Sequence, residues 1–452
     1  MKALALKHKD LAVVIILAAV VIALLPFHAF LTVWGSTLIG HYTLLRLWKE
    51  YLVLICGLIA IVWLFKDKKL RKEIFSSRLT WLITAFAVLD LILGAVAYKD
   101  HSVSGKALAY GLLDDLRFLF FFMVCWAIGL KTNVLSSKWG KFILIPAAIV
   151  VGFGLLQISV LPANFLVHFG YGPNTIPPYE TINNNQNYVR ILSTLRGADP
   201  LGAYLLLPIS ALMVLLVKKP KGWLWAKLLL LLGSLIVLYA SYSRSAWIGV
   251  VFCALLVAAA YLKKEWLIKY KTPLIAGGVA VLIVVAGGVF AFRHNPHFQN
   301  VFFHTQTNSS SPVSSDQAHL TALKDGTLSV LKHPLGVGPG TSGPASVYNH
   351  DRQSRIPENY FLQIGEESGW LGLALFLLIN AFVGYMLWVR RESPFALTML
   401  AALAGITFVN LLSLSWTDDT LSYIWWGLAG LAIATEPKLN KSHERILSKQ
   451  AK

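Results

Sequence analysis

Three arginines and a group of glutamates sit where an apolar chain has little ordinary use for charge. Arg196 lies in LRGADPLGAYLLLP, Arg244 in SYSRSAWIG and Arg117 in GLLDDLRFLFFF, each beside or inside a long apolar run. Ionisable groups at such depths are costly unless paired or functional, so each is a candidate site residue. The structural alternatives are specific: Arg244 as an interfacial side chain that snorkels, and Arg196 as a loop cap paired with Asp199. For Arg117 an ion pair is expected. Asp90 lies on the preceding, oppositely directed helix, and at ~1.5 Å per residue both sit about 12–14 Å below one membrane face. An Asp90–Arg117 pair would hold the two helices together. Glu358, at the membrane boundary after Pro357, begins ENYFLQIGEESGWLG, with Glu366 and Glu367 deeper along an apolar helix. A pairing of Glu366 or Glu367 with an arginine would make those two structural.

The segment HPLGVGPG, His333 to Gly340, offers a second kind of chemistry. Gly336, Gly338 and Gly340 permit close backbone approach to a ligand, and exposed N–H groups there would form an anion nest. A plain glycine-rich turn returning to the membrane is the alternative.

The elements that must position these residues are membrane helices. The chain is 56% hydrophobic and 14% charged, with a mean hydropathy of +0.62, whereas soluble domains carry about 25% charged residues. Spans of roughly 20 apolar residues fall at about 11–33, 43–65, 79–98, 108–130, 142–161, 201–217, 223–240, 245–262, 272–292, 359–389, 395–414 and 420–435. The expected fold is an all-α polytopic membrane protein of about twelve transmembrane helices, one domain over 1–452. The 359–389 run is too long for one crossing, so its first turns should emerge.

Net charge is +18, but its distribution argues against nucleic acid. With the N-terminus inside, 27 of the 40 Lys and Arg fall on the inner connections. That bias is the positive-inside rule, and it puts both termini in the cytoplasm and residues 293–357 outside. Residues 1–30 have the n- and h-regions of a signal peptide, yet the apolar run passes Pro26 to Trp34 without a small-x-small site; a retained first helix is expected.

Cys56, Cys125 and Cys253 lie inside apolar runs, where cysteine acts as a small hydrophobe. With no CxxC, HExxH or Walker pattern, the sequence gives no support for a disulfide framework, a metal site or nucleotide hydrolysis. Two outer loops are large. The first, 162–200, is crowded with Pro, Gly and Asn, so turns rather than regular elements are expected. The second, 293–357, has a Ser/Asn-rich run and then Leu320, Leu323 and Leu331 at helical spacing. That pattern predicts a short amphipathic helix on the outer face or against the bundle, ended by Pro334.

SYSRSAWIG, HPLGVGPG and ENYFLQIGEESGWLGL, in that order around a long outer loop, resemble the O-antigen ligase/polymerase superfamily. The motif content lies within about 200–372. The resemblance implies transfer of glycan from an undecaprenyl-pyrophosphate donor to an acceptor hydroxyl at the outer face of a bacterial cytoplasmic membrane. It carries Arg196 and Arg244 over as the arginines that hold the pyrophosphate. Ligases have His-Asn at the start of the helix after the large loop, with the His as proposed base; this chain has Glu358-Asn359.

Inverting transfer needs a hydroxyl to attack the anomeric carbon as pyrophosphate leaves, with guanidinium groups taking its growing charge. No metal or cofactor is required for this. A carboxylate can accept the acceptor's proton, and burial would raise its pKa toward usefulness. Glu358 is the favoured base, with His350 a second candidate if the loop folds over the site. Asn359, Arg352, Arg355, His350, Gly338 and Gly340 are expected to bind glycan or phosphate, against solvated loop charges for the two arginines. The 293–357 loop reads as lid and substrate guide. The replaced histidine favours a repeat-unit polymerase over a ligase acting on lipid A–core or another acceptor. Partners would be the lipid-linked donor, a glycan or lipid-linked acceptor and membrane lipid. A flippase of lipid-linked sugar is the rival of another class. Transporters, however, gather polar groups near the midplane and show repeats or broken helices.

Overall fold

A computed structural model describes residues 2–261, 287–288, 290–295, 298–303 and 315–435. The expected span at 272–292 lies mostly outside these residues, as does most of the Ser/Asn-rich run. The main helices are α1 (Lys2–Leu24), α2 (His28–Ile39), α3 (Trp48–Lys66), α4 (Arg78–Lys99), α5 (Gly105–Lys131) and α6 (Trp139–Ser159). After a hairpin, β1 (Glu180–Ile182) and β2 (Asn185–Arg190), come α7 (Ala198–Lys218), α8 (Leu224–Ala240) and α9 (Arg244–Tyr261). The last four are α10 (Ser315–Lys332), α11 (Tyr360–Val389), α12 (Pro394–Asn410) and α13 (Asp419–Ile433).

Seven helical segments among the described residues are long and apolar enough to cross a membrane, and α8 and α12 are shorter apolar helices. The chain is thus an all-α membrane protein. The first segment, Lys9–Ile39, contains a 3-10 turn at Leu25–Phe27, where Pro26 removes a backbone donor. α5 carries Asp114, Asp115 and Arg117 within an apolar helix, and α13 is 15 residues long.

α13 packs along α5, and α12 packs against both α7 and α9, which also touch each other. The centre of this packing is aromatic: Trp416, Trp425 and Trp426 are fully buried against one another, and Phe118 meets Trp416 and Trp426 at centroid separations of 6.3 Å and 5.3 Å. Beside it lies a buried charge network. Lys49, 1% exposed, has its Nζ 2.9 Å from Asp419 and 3.1 Å from Glu50. His28 Nε2 lies 3.4 Å from the same Asp419 carboxylate. Charges this deep persist because each is paired.

The expected Asp90–Arg117 pair does not form. Arg117 turns to Asp114 on its own helix at 3.1 Å, approaches Glu50 at 3.9 Å and donates to the Thr417 carbonyl at 2.7 Å. Asp90 instead accepts from the Ser368 hydroxyl of α11. Matching depth was the right geometric test, but a partner three residues away on the same helix was closer to hand.

The first large outer loop also departs from expectation. Its Asn-rich part pairs as an antiparallel hairpin with Ile182 opposite Asn185. Asn183 and Asn184 take φ of 50° and 57° in the intervening two-residue turn. Two positive-φ residues match the right-handed twist of a hairpin, and asparagine tolerates that conformation.

α11 is 30 residues long but broken at Gly369, whose φ is 67°. The break frees carbonyls of the preceding turn, and the glycine-rich segment supplies their donors. Val337 N–H donates to Glu366 O at 2.9 Å and Gly338 N–H to Glu367 O at 2.8 Å; Trp370 N–H donates back to Pro334 O at 2.9 Å. HPLGVGPG and GEESGW are therefore one structural unit, and the over-long span resolves into two helical pieces.

α10 ends at Lys332, two residues before Pro334, and packs on α11. Its packing face is not the leucine face. Val330 meets Gly365, and Trp370 Nε1 donates to the Val330 carbonyl, whereas Leu320 and Leu331 are 68% and 59% exposed.

Candidate active site

A cleft of about 500 Å³ opens where the N-terminal ends of α7, α9, α10 and α11 converge. Glu358 and Arg244 both line it, with Arg190, Asp199, Asp316 and His319. Tyr242, Ser245 and Ser413 complete its polar lining, and Leu412 is among its apolar residues.

Glu358 is placed by the start of α11. Asn359 is the N-cap: its Oδ1 accepts from Leu362 N–H at 3.1 Å, and its Nδ2 donates to the Leu411 carbonyl at 3.0 Å. With both ends of the amide engaged, Asn359 is a positioning residue. Glu358, one residue before the cap, has φ of 54°, a sparsely populated conformation for a β-substituted residue. Such strain is held only when the surroundings impose it, and it is common at functional sites. The carboxylate is half-buried, and its Oε2 lies 3.5 Å from His319 Nδ1. Burial pushes its pKa above the ordinary value of 4.5; His319 opposes the shift and Asp199 adds to it.

The guanidinium groups are engaged by carboxylates. Arg244 Nη2 is 2.5 Å from Asp316 Oδ1. Arg190, at the end of β2, has Nη2 2.7 Å from Asp199 Oδ1 and Nη1 3.5 Å from Glu180, while its Nε donates to the Ser241 carbonyl at 2.9 Å. A phosphate oxygen makes the same kind of charge-assisted contact as these carboxylates. Asp316 and His319 stand three residues apart on α10, so one helical face brings both into the cleft.

The cleft brings together two of the three residues expected to form the core of the site. Arg196 does not line it; its Nε lies 2.9 Å from Asp418 Oδ2, at the edge of the buried charge network. The expected Asp199 partner is taken by Arg190 instead. Sequence reading passed over Arg190, Asp316 and His319. Arg190 looked like a loop residue because the hairpin was not foreseen, whereas the i, i+3 spacing of Asp316 and His319 on a foreseen helix was an available signal.

The remaining expected binding residues lie elsewhere. His350 and Arg355 line a second cleft. Arg352 is exposed and lines neither cleft, with φ of 53°. Gly338 and Gly340 do not present an open anion nest. Glu367 fills that role from within: its Oε1 accepts from Gly340 N–H at 2.6 Å and Ser342 N–H at 3.2 Å. Glu366 accepts from the Ser342 hydroxyl at 2.5 Å, so neither glutamate pairs with an arginine. Gly340 instead permits a backbone contact with α5: a Cβ on Gly111 would come within 2.2 Å of its nitrogen. Among the described residues no three His, Cys, Asp or Glu side chains converge as a metal-ligand set.

Residues 228–377 match the family model described as O-Antigen ligase. No curated protein matches the chain. The matched stretch covers about a third of the chain and includes Arg244, Asp316, His319 and Glu358, four of the residues that line the cleft. Over that third of the chain the sequence is similar to the O-antigen ligase family.

Proposed function

We propose that this protein transfers glycan from an undecaprenyl-pyrophosphate donor to an acceptor hydroxyl at the outer face of a bacterial cytoplasmic membrane. Both termini lie inside on this reading. The observation that carries the reading is a carboxylate and two guanidinium groups lining one cleft at the ends of membrane-embedded helices, within or beside the matched family domain.

In the proposed reaction Glu358 accepts the proton of the acceptor hydroxyl as its oxygen attacks the anomeric carbon. The bond from that carbon to the pyrophosphate oxygen breaks, its electron pair leaves with the pyrophosphate, and the configuration inverts. Arg244 and Arg190 hold the leaving group, bidentate geometry and fixed charge suiting them to phosphate oxygens. Preorganised charge of this kind is commonly the largest catalytic contribution. Binding would exchange the Asp316 contact of Arg244 for a phosphate oxygen, so α10 moves or its aspartate rotates. Arg196, held by Asp418, borders the site rather than making first contact with the donor.

Within this reading we favour a repeat-unit polymerase, because Glu358-Asn359 stands where ligases have His-Asn. A ligase acting on lipid A–core or another terminal acceptor is the alternative. Purified protein incubated with lipid-linked glycan separates the cases. Longer glycan chains support polymerisation, and transfer to a different acceptor supports ligation. Carrier-lipid movement across vesicles with no new glycosidic bond would overturn both in favour of a transporter.

A further inference from the structure

The second cleft, about 460 Å³ in volume, lies at the opposite end of α10 from the first. α10 takes His319 into the first cleft, and His333, just beyond its C-terminus, lines the second. These histidines are fourteen residues apart, so at 1.5 Å per helical residue the two clefts are separated by ~20 Å.

The composition of the second cleft is unusual for a ligand site. Such sites are mostly apolar with a few polar groups, yet Val337 is the one aliphatic side chain lining this one. The charged side chains are each engaged by a neighbour. Arg355 is paired with Asp351, and Glu366 is bound by the Ser342 hydroxyl. Three imidazoles, of His101, His333 and His350, line it too, with the Asn349 amide and the residues Ser102, Ser329 and Thr341. One guanidinium against two carboxylates leaves no surplus positive charge for a phosphate. An even supply of donors and acceptors suits hydroxyl groups, each of which donates and accepts at once.

The walls are also fixed in advance. Asn349 Oδ1 accepts from Ser104 N–H at 2.8 Å and its Nδ2 donates to Ser102 O at 3.2 Å, tying this loop to the turn before α5. Gly343 N–H donates to Arg355 O at 2.8 Å, and Glu367 pins the opposite side through Gly340 and Ser342. Preorganised walls lower the ordering cost of binding.

We propose that this second cleft is a distal saccharide subsite, holding a hydroxyl-rich glycan several sugar residues from the point of transfer. The inference rests on the glycan-transfer reading for its biological setting, but the binding it asserts requires no catalysis. A chain engaged at both ends of α10 is held better than a short one, so the subsite favours acceptors long enough to reach it.

The test uses the full chain in nanodiscs and free oligosaccharides of graded length, released from the source cell's own surface polymer and carrying no lipid or phosphate. Saturation-transfer NMR reads their binding. His333→Ala and His350→Ala remove exposed side chains, and each is expected to weaken binding of the longer oligosaccharides roughly five- to tenfold, the loss of one or two hydrogen bonds. His350→Trp, which fills the cleft, gives a second variant, and thermal unfolding checks that all three are folded. Lys69→Ala, whose exposed side chain lines neither cleft, should bind these oligosaccharides like the wild type. Unchanged binding in the cleft variants, equal loss in Lys69→Ala, or displacement by inorganic phosphate would each overturn the proposal. Should the wild type make no glycosidic product, the transfer reading falls, whereas cleft-dependent binding in the same preparation would keep the subsite standing.

Discussion

His319 Nδ1 stands 3.5 Å from Glu358 Oε2, so α10 delivers an imidazole to the residue just before the N-cap of α11. The chain thus has a histidine at this position in space although it has a glutamate there in sequence. Under the proposed transfer Glu358 accepts the acceptor's proton, and the neighbouring imidazole is a polar contact that orients the carboxylate.

The pH dependence follows from the direction of the Glu358 shift. Burial raises its pKa, so the carboxylate form accumulates only above the ordinary value of 4.5, and kcat/KM should rise with pH through that elevated value. His319 lowers it, so His319→Ala should move this acidic limb to higher pH while reducing the rate. Stability responds with the opposite sign. Between the ordinary and the folded-state pKa the native protein binds more protons than the unfolded chain, so this group's contribution falls as pH rises. A pH–rate profile of the two proteins checks the claim; an unshifted limb in His319→Ala counts against it.

Arg244→Ala should lower kcat about 10²–10³-fold, the usual effect of deleting one preorganised donor to developing charge. Arg244→Lys should recover little, because a point charge cannot reproduce bidentate geometry. Asp316→Asn should instead tighten donor binding, since it weakens the competing carboxylate. A donor KM that is unchanged or raised in Asp316→Asn would contradict the exchange of Asp316 for phosphate.

Asn359→Ala removes a helix cap, and about 1 kcal/mol of stability should go with it. The thermal midpoint falls, and because the cap places Glu358, kcat falls more than KM rises. A change confined to KM would return Asn359 to the role of substrate ligand.

Glu367→Ala strips two buried N–H groups of their acceptor, at about 1–3 kcal/mol for each unsatisfied group. Gly111→Ala attacks the same joint from α5, because its Cβ would meet Gly340 N at 2.2 Å. Both should lower the thermal midpoint and loosen the loop shared by the second cleft, which hydrogen exchange at residues 336–343 would register.

Much of this arrangement was legible in the sequence for a physical reason. Hydrocarbon demands long apolar helices, and charge within them is costly, so the spans and several out-of-place charges announce themselves, although the buried Lys49 did not. Arg244 and Glu358 stood out in that way, and they share a cleft. The count of twelve spans was less secure, because a helix such as α5 mixes apolar length with buried charge. Partner choice was not legible. Arg117 could reach Asp90, Asp114 or Glu50, and only packing decided among them. Loop residues were hardest. Arg190 depends on a hairpin set by two asparagines, and His350, a second candidate base only if its loop folds over the site, lines the other cleft. The glycines of HPLGVGPG were read for their conformational freedom, whereas their use depends on a helix break thirty residues later.

Glu358 is proposed as the base of a glycan transfer in the Arg244 cleft. Glu358→Gln keeps the size and much of the hydrogen bonding of the side chain while removing its basicity, so single-turnover transfer from lipid-linked glycan by this variant is the direct measure. The account expects donor binding near that of the wild type, an unchanged thermal midpoint and loss of glycosidic bond formation at every pH. Wild-type turnover in Glu358→Gln would contradict it.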